Sequence, residues 1–508
     1  MNLKWEDKEK IKNSIEDLDI ISLQDVELVS SPINDKILEK PELPPQISGK
    51  EWKNLLVWGD NTKILKVLLK NLTNKINLIY IDPPFATGGE FNYKIQIGEG
   101  KTSKQSKHWI RKIAYSDSWS SGLNSYLSFI YEKLLLMKEL LSETGSIYVH
   151  LDWHIGHYIK VIMDEIFGIE NFRNEIIWAY PAASVQTKRF YVRSFDIILF
   201  YTKSDNYTFN DDPNIYMEYS DRVKTALKKD DKGLYYHRGG SHNGKKLSQK
   251  VYVKNNGVFP RDVWNDIPYV RANTKEYQGF ATQKPERLLK RIILASSTEN
   301  DLIADFFCGS GTTLAVAEKL GRRWIGCDIT KQAINICKKR LLDICNSNDL
   351  YNWKNKYSKN VRPFKILEIM TQEKQFILPI EFLSKNSEIK ENSEFSQAPN
   401  LKINIKKQDM KVTISLKDYT IPYVNFISEK IRENILNWAD WIDSWSIDFN
   451  YNGKIFNNKW ISYRTPKKRE LSLVASFIYD KPREYQILVK VIDILGFETI
   501  QNYGLKII

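Results

Sequence analysis

The sequence contains few cysteines and no long apolar segment, and both features narrow the class of protein. Its four cysteines, Cys308, Cys327, Cys337 and Cys345, are neither closely paired nor near a histidine cluster, which argues against a disulfide framework and a zinc site. No apolar run approaches the roughly 20 residues that a membrane helix needs. The chain opens on charged residues, so we expect no secretory signal, no membrane contact and a cytoplasmic location.

The charge is unbalanced in the basic direction. The 508 residues include 75 lysines and arginines against 62 acidic residues, a formal net charge of +13. A basic protein attracts phosphate polyanions through its long-range field and through counterion release. An ordinary lysine-rich surface would produce the same excess. The charge is therefore compatible with a nucleic-acid partner and does not by itself establish one.

Short apolar runs alternate with amphipathic stretches between residues 54 and 346, a pattern typical of a parallel sheet covered by helices on both faces. The predicted strands are Leu55–Trp58, Leu78–Ile81, Ser146–Leu151, Asp196–Tyr201, Leu302–Asp305 and Trp324–Cys327. The predicted helix faces consist of Leu127, Ile130, Leu134 and Leu141, of Leu288, Leu289, Ile292 and Ile293, and of Ile334, Cys337 and Leu341. Pro285 suits the first turn of the second helix. We therefore expect an α/β core.

Three segments depart from this pattern. Residues 204–278 are rich in Lys, Asp, Asn, Gly and Tyr, which indicates an insertion between two halves of the core. The polar stretch Ser384–Asn400 indicates a linker. Beyond it, Lys411–Leu416 and Tyr485–Asp493 alternate at period two, which predicts a small β-sandwich. The predicted division is an N-terminal extension (1–50), a first core half (51–203), the insertion (204–278), a second core half (279–350), a linker (351–400) and a β-rich C-terminal domain (401–508).

The segment after Leu302–Asp305 has the composition of a nucleoside-binding turn. It contains Gly309 and Gly311, and glycines allow a tight turn and close approach of the backbone to a ligand. The next strand leads to Asp328, at a spacing from which a carboxylate can accept hydrogen bonds from ribose hydroxyls. A dinucleotide site would need a third glycine where Leu314 stands, and a P-loop would need Gly-Lys-Ser/Thr. The loop therefore favours a nucleoside without phosphates.

Asp82-Pro83-Pro84-Phe85 follows the predicted strand Leu78–Ile81, at the carboxyl edge where open α/β sheets bind ligands. Two prolines fix φ and remove backbone donors, so carbonyl groups can be held towards a ligand beside the aromatic ring. A simple strand-ending turn would have the same composition. The presence of the glycine loop in the same core makes a catalytic role the better interpretation.

Together these motifs resemble the amino-directed DNA methyltransferases, whose hallmark is Asp/Asn/Ser-Pro-Pro-Tyr/Phe, in the β-class arrangement where this motif precedes a Phe-x-Gly-x-Gly loop. The resemblance covers residues 54–346. The matching segments are Val57–Asn61, Leu78–Phe85, Thr282–Pro285, Ala304–Thr313 and Gly321–Asp328. The resemblance implies a circularly permuted, Rossmann-like, S-adenosylmethionine-dependent methyltransferase sheet, with a target-recognition region in the insertion.

The resemblance also implies the reaction, in which a methyl group moves from S-adenosylmethionine to the exocyclic amine of a base flipped out of duplex DNA. The implied catalytic residues are Asp82, Pro83, Pro84 and Phe85. The Asp82 carboxylate and the Pro83 carbonyl would accept the amine hydrogens while Phe85 stacks on the base. The implied cofactor-binding residues are Asp60, Lys284, Asp305, Phe307, Gly309, Gly311, Thr312 and Asp328. No metal is required.

The expected target is the N6 amine of adenine, because the cytosine enzymes of the family more often carry Ser at the position of Asp82. The alternatives are methylation of cytosine N4 and a catalytically silent DNA-binding or specificity subunit. The intact Asp82 and glycine loop argue against silence. The expected partners are double-stranded DNA, a restriction subunit of a restriction–modification system and a second copy of the chain.

Two further regions have open interpretations. His150, His154 and His157 lack a defined metal-ligand geometry, which favours a structural or base-proximal placement. The basic, aromatic segments Lys101–Lys112 and Thr187–Arg193 suit DNA-contacting loops, since Lys and Arg bind phosphate while aromatic rings stack on bases. Solvated loops would have the same composition.

Overall fold

The computed structural model describes residues 3–5, 7–14, 22–30, 52–98, 109–117, 119, 122–180, 189–242, 245–253, 257–280, 282–369, 399–422 and 424–508. The strands, numbered in chain order, are β1 (Leu23–Val29), β2 (Asn54–Trp58), β3 (Ile76–Ile81), β4 (Glu90–Gln96), β5 (Trp109–Ser116), β6 (Leu141–Leu151), β7 (Phe172–Ala179), β8 (Phe195–Thr202), β9 (Lys228–Asp230), β10 (Gly233–His242), β11 (Lys245–Tyr252), β12 (Val263–Trp264), β13 (Leu302–Asp305), β14 (Arg323–Asp328), β15 (Phe364–Ile369), β16 (Asn400–Gln408), β17 (Lys411–Thr420), β18 (Ile442–Asp448), β19 (Phe456–Asn458), β20 (Trp460–Tyr463), β21 (Val474–Ile478), β22 (Glu484–Asp493) and β23 (Glu498–Lys506).

The α-helices are α1 (Lys8–Ser14), α2 (Asn61–Leu72), α3 (Leu123–Leu140), α4 (Gly156–Phe167), α5 (Asp221–Thr225), α6 (Glu286–Ser296), α7 (Thr312–Lys319), α8 (Lys331–Leu342) and α9 (Glu429–Arg432). Short 3₁₀ turns lie at Ile169–Asn171, Pro213–Ile215, Ile344–Asn346, Val424–Phe426 and Trp438–Trp441. In the described part of the chain, none of the helices combines the length and apolar character that a membrane crossing requires.

An eleven-stranded sheet forms the core, with the strand order β12-β7-β8-β6-β3-β13-β14-β2-β15-β1-β19. Strand β13 pairs in parallel with both β3 and β14, so the strand before Asp82 ends beside the strand before the glycine loop. The catalytic strand β3 nevertheless precedes β13 along the chain. This order confirms the circularly permuted sheet.

Helices cover both faces of the sheet. Ile64 of α2 and Leu127 of α3 belong to the buried cluster on one face, together with residues of α4. Leu289 of α6 and Cys337 of α8 belong to the cluster on the other face, together with residues of α7. Apolar residues recur at helical spacing along each of these helices, and burying such a face is the main force that holds a helix on a sheet. The predicted α/β core is confirmed.

Three details of the core differ from the prediction. Strand β8 runs antiparallel to both β6 and β7, because it returns along β7 and inserts between β7 and β6. Leu141 starts β6 instead of continuing the face of α3, since its backbone is already extended, with a ψ of 132°. Pro285 is the residue before α6 rather than part of its first turn, with a ψ of 143°.

The edge of the sheet is built from segments that the sequence analysis assigns to an extension and a linker. Residues 364–369 form β15, which pairs in parallel with β2, and Phe364 is fully buried there. Strand β1 pairs antiparallel with β15, and β19 pairs with β1. Six or seven alternating residues beside long polar stretches are a weak strand signal, which explains why both strands were missed. Residues 370–398 lie outside the described residues.

The C-terminal region contains two antiparallel sheets, β16-β17-β21 and β20-β18-β22-β23. Val412 from the first sheet and Trp445 from the second lie in one buried cluster, which confirms a mostly β region. The same cluster includes Ile97 and Phe280, so this region packs directly on the α/β core.

The insertion contributes a small sheet and an edge strand. Strands β9, β10 and β11 form a three-stranded antiparallel sheet, and β12 pairs with β7 of the core. Strands β4 and β5 form a hairpin that follows Phe85. Within the segment Lys101–Lys112, residues 109–112 therefore belong to a strand, while residues 101–108 lie outside the described residues, as do 187 and 188.

Candidate active site

The carboxyl ends of β3, β13 and β14 meet at one edge of the sheet, where they border a cavity of about 210 Å³. Most of the predicted site residues line it, namely Asp82, Pro84, Lys284, Asp305, Phe307, Gly309, Thr312 and Asp328. Among the described residues, Asp60, Pro83, Phe85 and Gly311 lie outside this lining. The two halves of the predicted site therefore share one cavity.

The glycine loop turns between β13 and α7 with two residues in the left-handed region. Gly309 has a φ of 47° and Gly311 a φ of 73°. A Cβ atom on Gly311 would lie 2.8 Å from Cys337 Sγ, and one on Gly309 would lie 3.3 Å from the Phe280 ring. A side chain at Gly311 is excluded by both the backbone conformation and the close approach of Cys337, so the loop packs tightly against α8 while Gly309 lines the cavity.

Asp328 ends β14 and is tied to the glycine loop. Its Oδ2 atom accepts a hydrogen bond from the Gly309 amide at 3.0 Å, and its Oδ1 atom accepts from the Thr330 amide and hydroxyl, each at 2.9 Å. Burial raises the pKa of Asp328, although these hydrogen bonds oppose the shift. Asp328 lines the cavity, and each carboxylate oxygen has two lone pairs, so the group can still accept a hydrogen bond from a ribose hydroxyl.

Asp305 ends β13 and is almost fully buried. It accepts hydrogen bonds from the Thr313 hydroxyl at 2.5 Å and from the Phe307 amide at 3.0 Å. Burial raises the pKa of Asp305 to about 7, and the charges of Asp82 and Asp328 add to the rise. The carboxyl group therefore titrates near neutral pH and becomes more easily ionised when a cation lies beside it.

The lining fits a cationic nucleoside such as S-adenosylmethionine. Phe129, Phe306 and Phe307 give it apolar walls, while Asp305 and Asp328 place two carboxyl groups on its surface. Carboxylates repel phosphate and attract a positive charge, so this surface disfavours a dinucleotide and favours a ligand with a sulfonium group.

The catalytic tetrapeptide combines a carboxylate, an ammonium group and a ring. Lys284 Nζ lies 2.5 Å from Asp82 Oδ2 and 5.4 Å from the centre of the Phe85 ring. Asp82 Oδ1 is buried, and none of the residues that the structure describes donates a hydrogen bond to it. A buried acceptor without a donor costs free energy, so this atom is prepared to receive a hydrogen bond from a ligand.

A buried chain of side chains supports the tetrapeptide from behind. The His150 ring stacks on Phe85, with centroids 6.3 Å apart and planes within 16°. Its Nδ1 atom lies 2.9 Å from the Tyr80 hydroxyl and its Nε2 atom 3.0 Å from Asp196 Oδ2. Tyr180 donates to the other Asp196 oxygen at 2.9 Å. The sequence singled out His150 but not Tyr80, Asp196 or Tyr180.

A metal role for the histidines finds no support in the described residues. No group of three or more His, Cys, Asp or Glu side chains there is arranged to hold a metal ion. His150 is engaged on both ring nitrogens, and His154 contacts Asp152.

Asp60 has a different contact from the one expected. Its carboxylate accepts the Lys63 amide at 3.0 Å and so caps the first turn of α2. The next residue, Asn61, lines the cavity instead and donates to the Phe306 carbonyl. The sequence offered one signal for this capping role, an Asp immediately before an amphipathic run.

Thr312 is held by a charged group that the sequence analysis did not identify. Its hydroxyl donates to the Lys284 carbonyl at 3.1 Å and accepts from Arg340 Nη1 at 2.8 Å. Arg340 also pairs with Glu286 Oε1 at 2.9 Å. Arg340 lies three residues after Cys337, at the border of the predicted apolar face of α8, and a buried arginine there joins the glycine loop to the segment that carries Lys284.

Comparisons with known proteins agree with this geometry. A family model described as DNA methylase matches residues 76–339. The type II methyltransferase M.EcaI of Enterobacter cloacae is 30% identical over 329 residues, which cover 56% of this chain and 69% of that protein. The DNA adenine methyltransferase YhdJ of Escherichia coli (strain K12) is 32% identical over 301 residues, covering 58% of this chain and 85% of that protein.

A more distant relative is the Mod subunit of the type III restriction-modification enzyme StyLTI of Salmonella typhimurium, 27% identical and covering 57% of this chain and 55% of that protein. The range matched by the family model contains both the tetrapeptide Asp82–Phe85 and the glycine loop. This chain belongs to the DNA methylase family.

Proposed function

We propose that this chain transfers a methyl group from S-adenosylmethionine to the N6 amine of an adenine flipped out of duplex DNA. One observation carries the proposal: Asp82 lines the same cavity as Asp305 and Asp328, and within the described part of the chain its buried Oδ1 atom receives no hydrogen bond. The exocyclic amine of a base is a donor of the required kind, and a base inside a duplex can reach this atom only after extrusion.

The tetrapeptide has the groups that an aromatic amine needs. The lone pair of such an amine is delocalised into the ring, so the nitrogen is a poor nucleophile. Asp82 Oδ1 and the Pro83 carbonyl accept its two hydrogens, which draws the nitrogen towards tetrahedral geometry and stabilises the positive charge that develops on it. Asp82 Oδ1 is also placed to take the proton that the nitrogen releases.

The remaining residues hold the reactants. Phe85 stacks on the face of the base, and His150 fixes the ring from the other side. When bound, S-adenosylmethionine supplies an electrophilic methyl group. The glycine loop, Asp305 and Asp328 line the cavity that orients it, and much of the rate enhancement is expected to come from this alignment.

Adenine is the favoured target for two reasons. The catalytic tetrapeptide begins with Asp82, whereas the cytosine enzymes of the family more often have Ser. The relative YhdJ is itself named a DNA adenine methyltransferase.

We assign target recognition to the insertion 204–278. Its three-stranded sheet carries the exposed basic residues Lys228, Lys229 and Arg238, which suit phosphate or base contacts. We further infer that the protein is located in the cytoplasm and forms a homodimer. We also infer a restriction subunit as its partner, as the name of the StyLTI Mod subunit suggests. Size-exclusion chromatography with light scattering would test the homodimer.

The test uses methyl-labelled S-adenosylmethionine, duplex plasmid DNA and nucleoside analysis of the digested product. We expect label in N6-methyldeoxyadenosine, and we expect Asp82→Ala to lower the rate by about 100- to 1,000-fold. Asp480→Ala, at an exposed position in the C-terminal region, is the control and should keep wild-type activity. Circular dichroism should show both variants folded.

Three outcomes would contradict the proposal. Transfer by Asp82→Ala at the wild-type rate would show that Asp82 is not a catalytic residue and would exclude the proposed mechanism. Label in N4-methyldeoxycytidine would change the target base. DNA binding without any transfer would indicate a silent DNA-binding protein. If transfer to DNA is observed, sequencing that maps the methylated positions would identify the recognition site.

A further inference from the structure

A cluster of exposed aromatic rings lies in the segments that follow β6 and precede β8. It consists of Trp153, Phe190, Tyr191 and Arg193, and we call it the aromatic ridge. The three rings are 41%, 58% and 98% exposed, respectively. The Arg193 guanidinium lies 3.8 Å from the centre of the Trp153 ring and 5.2 Å from that of Phe190. The arginine therefore ties two segments of the chain into one surface.

The register of the sheet places this ridge at the catalytic edge. Strands β3 and β6 are parallel neighbours, with Ile81 opposite Val149, and Phe85 and Trp153 each come four residues after this pair, at the carboxyl edge of the sheet. Strand β8 is antiparallel to β6, with Leu151 opposite Ile197. The residues just before β8, including Arg193, therefore lie at the same edge.

The catalytic mechanism does not use any of these four side chains, but their combination of aromatic rings and a cation suits contact with nucleic acid. Exposed apolar rings are unfavourable in water, and rings clustered with a cation are typical of surfaces that stack on nucleic-acid bases. The guanidinium supplies the positive charge that a phosphate backbone attracts. The proposed reaction also creates a place for a ring, because extrusion of a base leaves a gap in the stack.

We infer that the aromatic ridge enters the duplex at the target site, with Tyr191 filling the gap left by the extruded base and Trp153 and Arg193 contacting the flanking strand. This inference rests on the proposed function and extends it by assigning the side chains that stabilise the open duplex. Tyr191 is the most exposed of the three rings and is the best placed to insert. A protein partner on the same surface is the competing occupant, and the experiment below distinguishes the two.

The experiment measures single-turnover methylation of two duplex oligonucleotides that contain the mapped recognition site. In one the target adenine is paired with thymine, and in the other it is mispaired, which lowers the cost of extrusion. Tyr191→Ala should slow methylation of the paired duplex about tenfold, the scale of one base–aromatic stack. On the mispaired duplex it should recover to within about twofold of the wild type, because less of the rate depends on filling the gap.

The control variant is Tyr351→Ala, which also removes an exposed tyrosine. Tyr351 is 58% exposed, packs under the Lys290 ammonium and is absent from the cavity lining in the described residues. It should behave as the wild type on both duplexes. With 2-aminopurine at the target position, fluorescence should rise on binding of the wild type and rise less for Tyr191→Ala.

Equal slowing by Tyr191→Ala on both duplexes, or no slowing on either, would overturn the inference while leaving the proposed function intact. No slowing together with binding of another protein that depends on Tyr191 would assign the ridge to a protein partner. Failure of the wild type to methylate any DNA would instead overturn the proposed function, and the inference with it.

Discussion

The cofactor cavity and the junction between β1, α8 and β22 each bury a carboxyl group, and the two sites shift its pKa in opposite directions. At the junction, Glu27 accepts from Lys338, Lys490 and the Asn458 amide. Burial alone would raise the pKa of Glu27, but the two ammonium groups lower it to about 2. In the cavity, Asp305 is bonded to a hydroxyl and an amide, and its pKa rises to about 7.

The difference lies in the partners, since both groups are buried. Two buried cations satisfy Glu27, so the junction is a structural contact that joins the N-terminal strand, the cofactor half and the C-terminal region. In the cavity, the charges that shift the pKa of Asp305 are those of two other carboxyl groups, Asp82 and Asp328, and no described residue donates a hydrogen bond to Asp82 Oδ1. Incomplete pairing at this edge suits a site that completes its contacts with ligands.

The strongest test of the comparison is Glu27→Gln. It leaves Lys338 and Lys490 buried without their shared anion, so we expect a loss of about 3–5 kcal/mol in the free energy of unfolding at pH 7, measured by urea denaturation. Because the folded pKa of Glu27 is lowered, its contribution is present above the unfolded value of about 4.3 and is lost as the pH falls towards 2. The difference between variant and wild type should shrink over that range.

Asp25→Asn is the matched control for Glu27→Gln. Asp25 lies on the same strand and pairs with Lys365, but this pair is about one-third exposed. Its loss should cost less than about 1 kcal/mol. Equal destabilisation by the two substitutions would show that burial of the junction has no special importance.

Asp196→Asn tests an intermediate case, a satisfied carboxylate at the catalytic edge. Burial tends to raise the pKa of Asp196, but the hydrogen bond and charge of His150 bring it below its usual value. An asparagine at this position cannot accept hydrogen bonds on both sides from His150 and Tyr180. The Phe85 ring then loses its fixed support, and we expect kcat to fall about tenfold while the affinity for S-adenosylmethionine stays within about twofold.

Tyr180→Phe is the control for the Asp196 substitution, because it removes the other hydrogen bond and keeps the link to His150. It should lower kcat less than about threefold. An equal fall in both variants would mean that the hydrogen bond between His150 Nε2 and Asp196 does not position the Phe85 ring.

Much of the core could be predicted from the sequence because its signals are local. The run Leu302–Asp305 is short, apolar and followed by glycines, and it forms a strand with the predicted bounds. The permuted sheet was predicted from the resemblance to the β-class methyltransferases, in which the tetrapeptide precedes the glycine loop. Strands β1 and β15 were missed because their short sequences carry a weak signal, and their pairing with each other and with β2 and β19 exists only in the folded chain.

The supporting residues of the site could not be predicted for a related reason. Tyr80 and His150 are 70 residues apart in sequence, and His150 and Asp196 are 46 apart, so their contacts depend on the pairing of β3, β6 and β8. The antiparallel direction of β8 matters here, because it places Asp196, near the start of β8, beside His150, near the end of β6. In a parallel sheet these two residues would lie at opposite edges of the sheet. Asp60 was assigned to the cofactor from the resemblance to the family, and in the structure it lies immediately before α2 and caps that helix.

The smallest expected effect concerns the pH dependence of cofactor affinity. The raised pKa of Asp305 means that its carboxyl group favours the folded state most below the unfolded value of about 3.9, and that this contribution is lost as the pH rises through about 7. A cationic ligand prefers the ionised form. The affinity for S-adenosylmethionine should therefore increase about tenfold between pH 6 and pH 8, measured by calorimetry, and Asp305→Asn should abolish this increase.

Glu276 has a pKa raised to about 7 by burial and by the neighbouring Glu286, and it lies behind the glycine loop rather than in the cavity lining. Glu276→Gln is therefore the control and should keep the wild-type increase in affinity. If the increase instead persisted in Asp305→Asn and disappeared in Glu276→Gln, the titrating group would be Glu276 behind the loop and not Asp305 in the cavity.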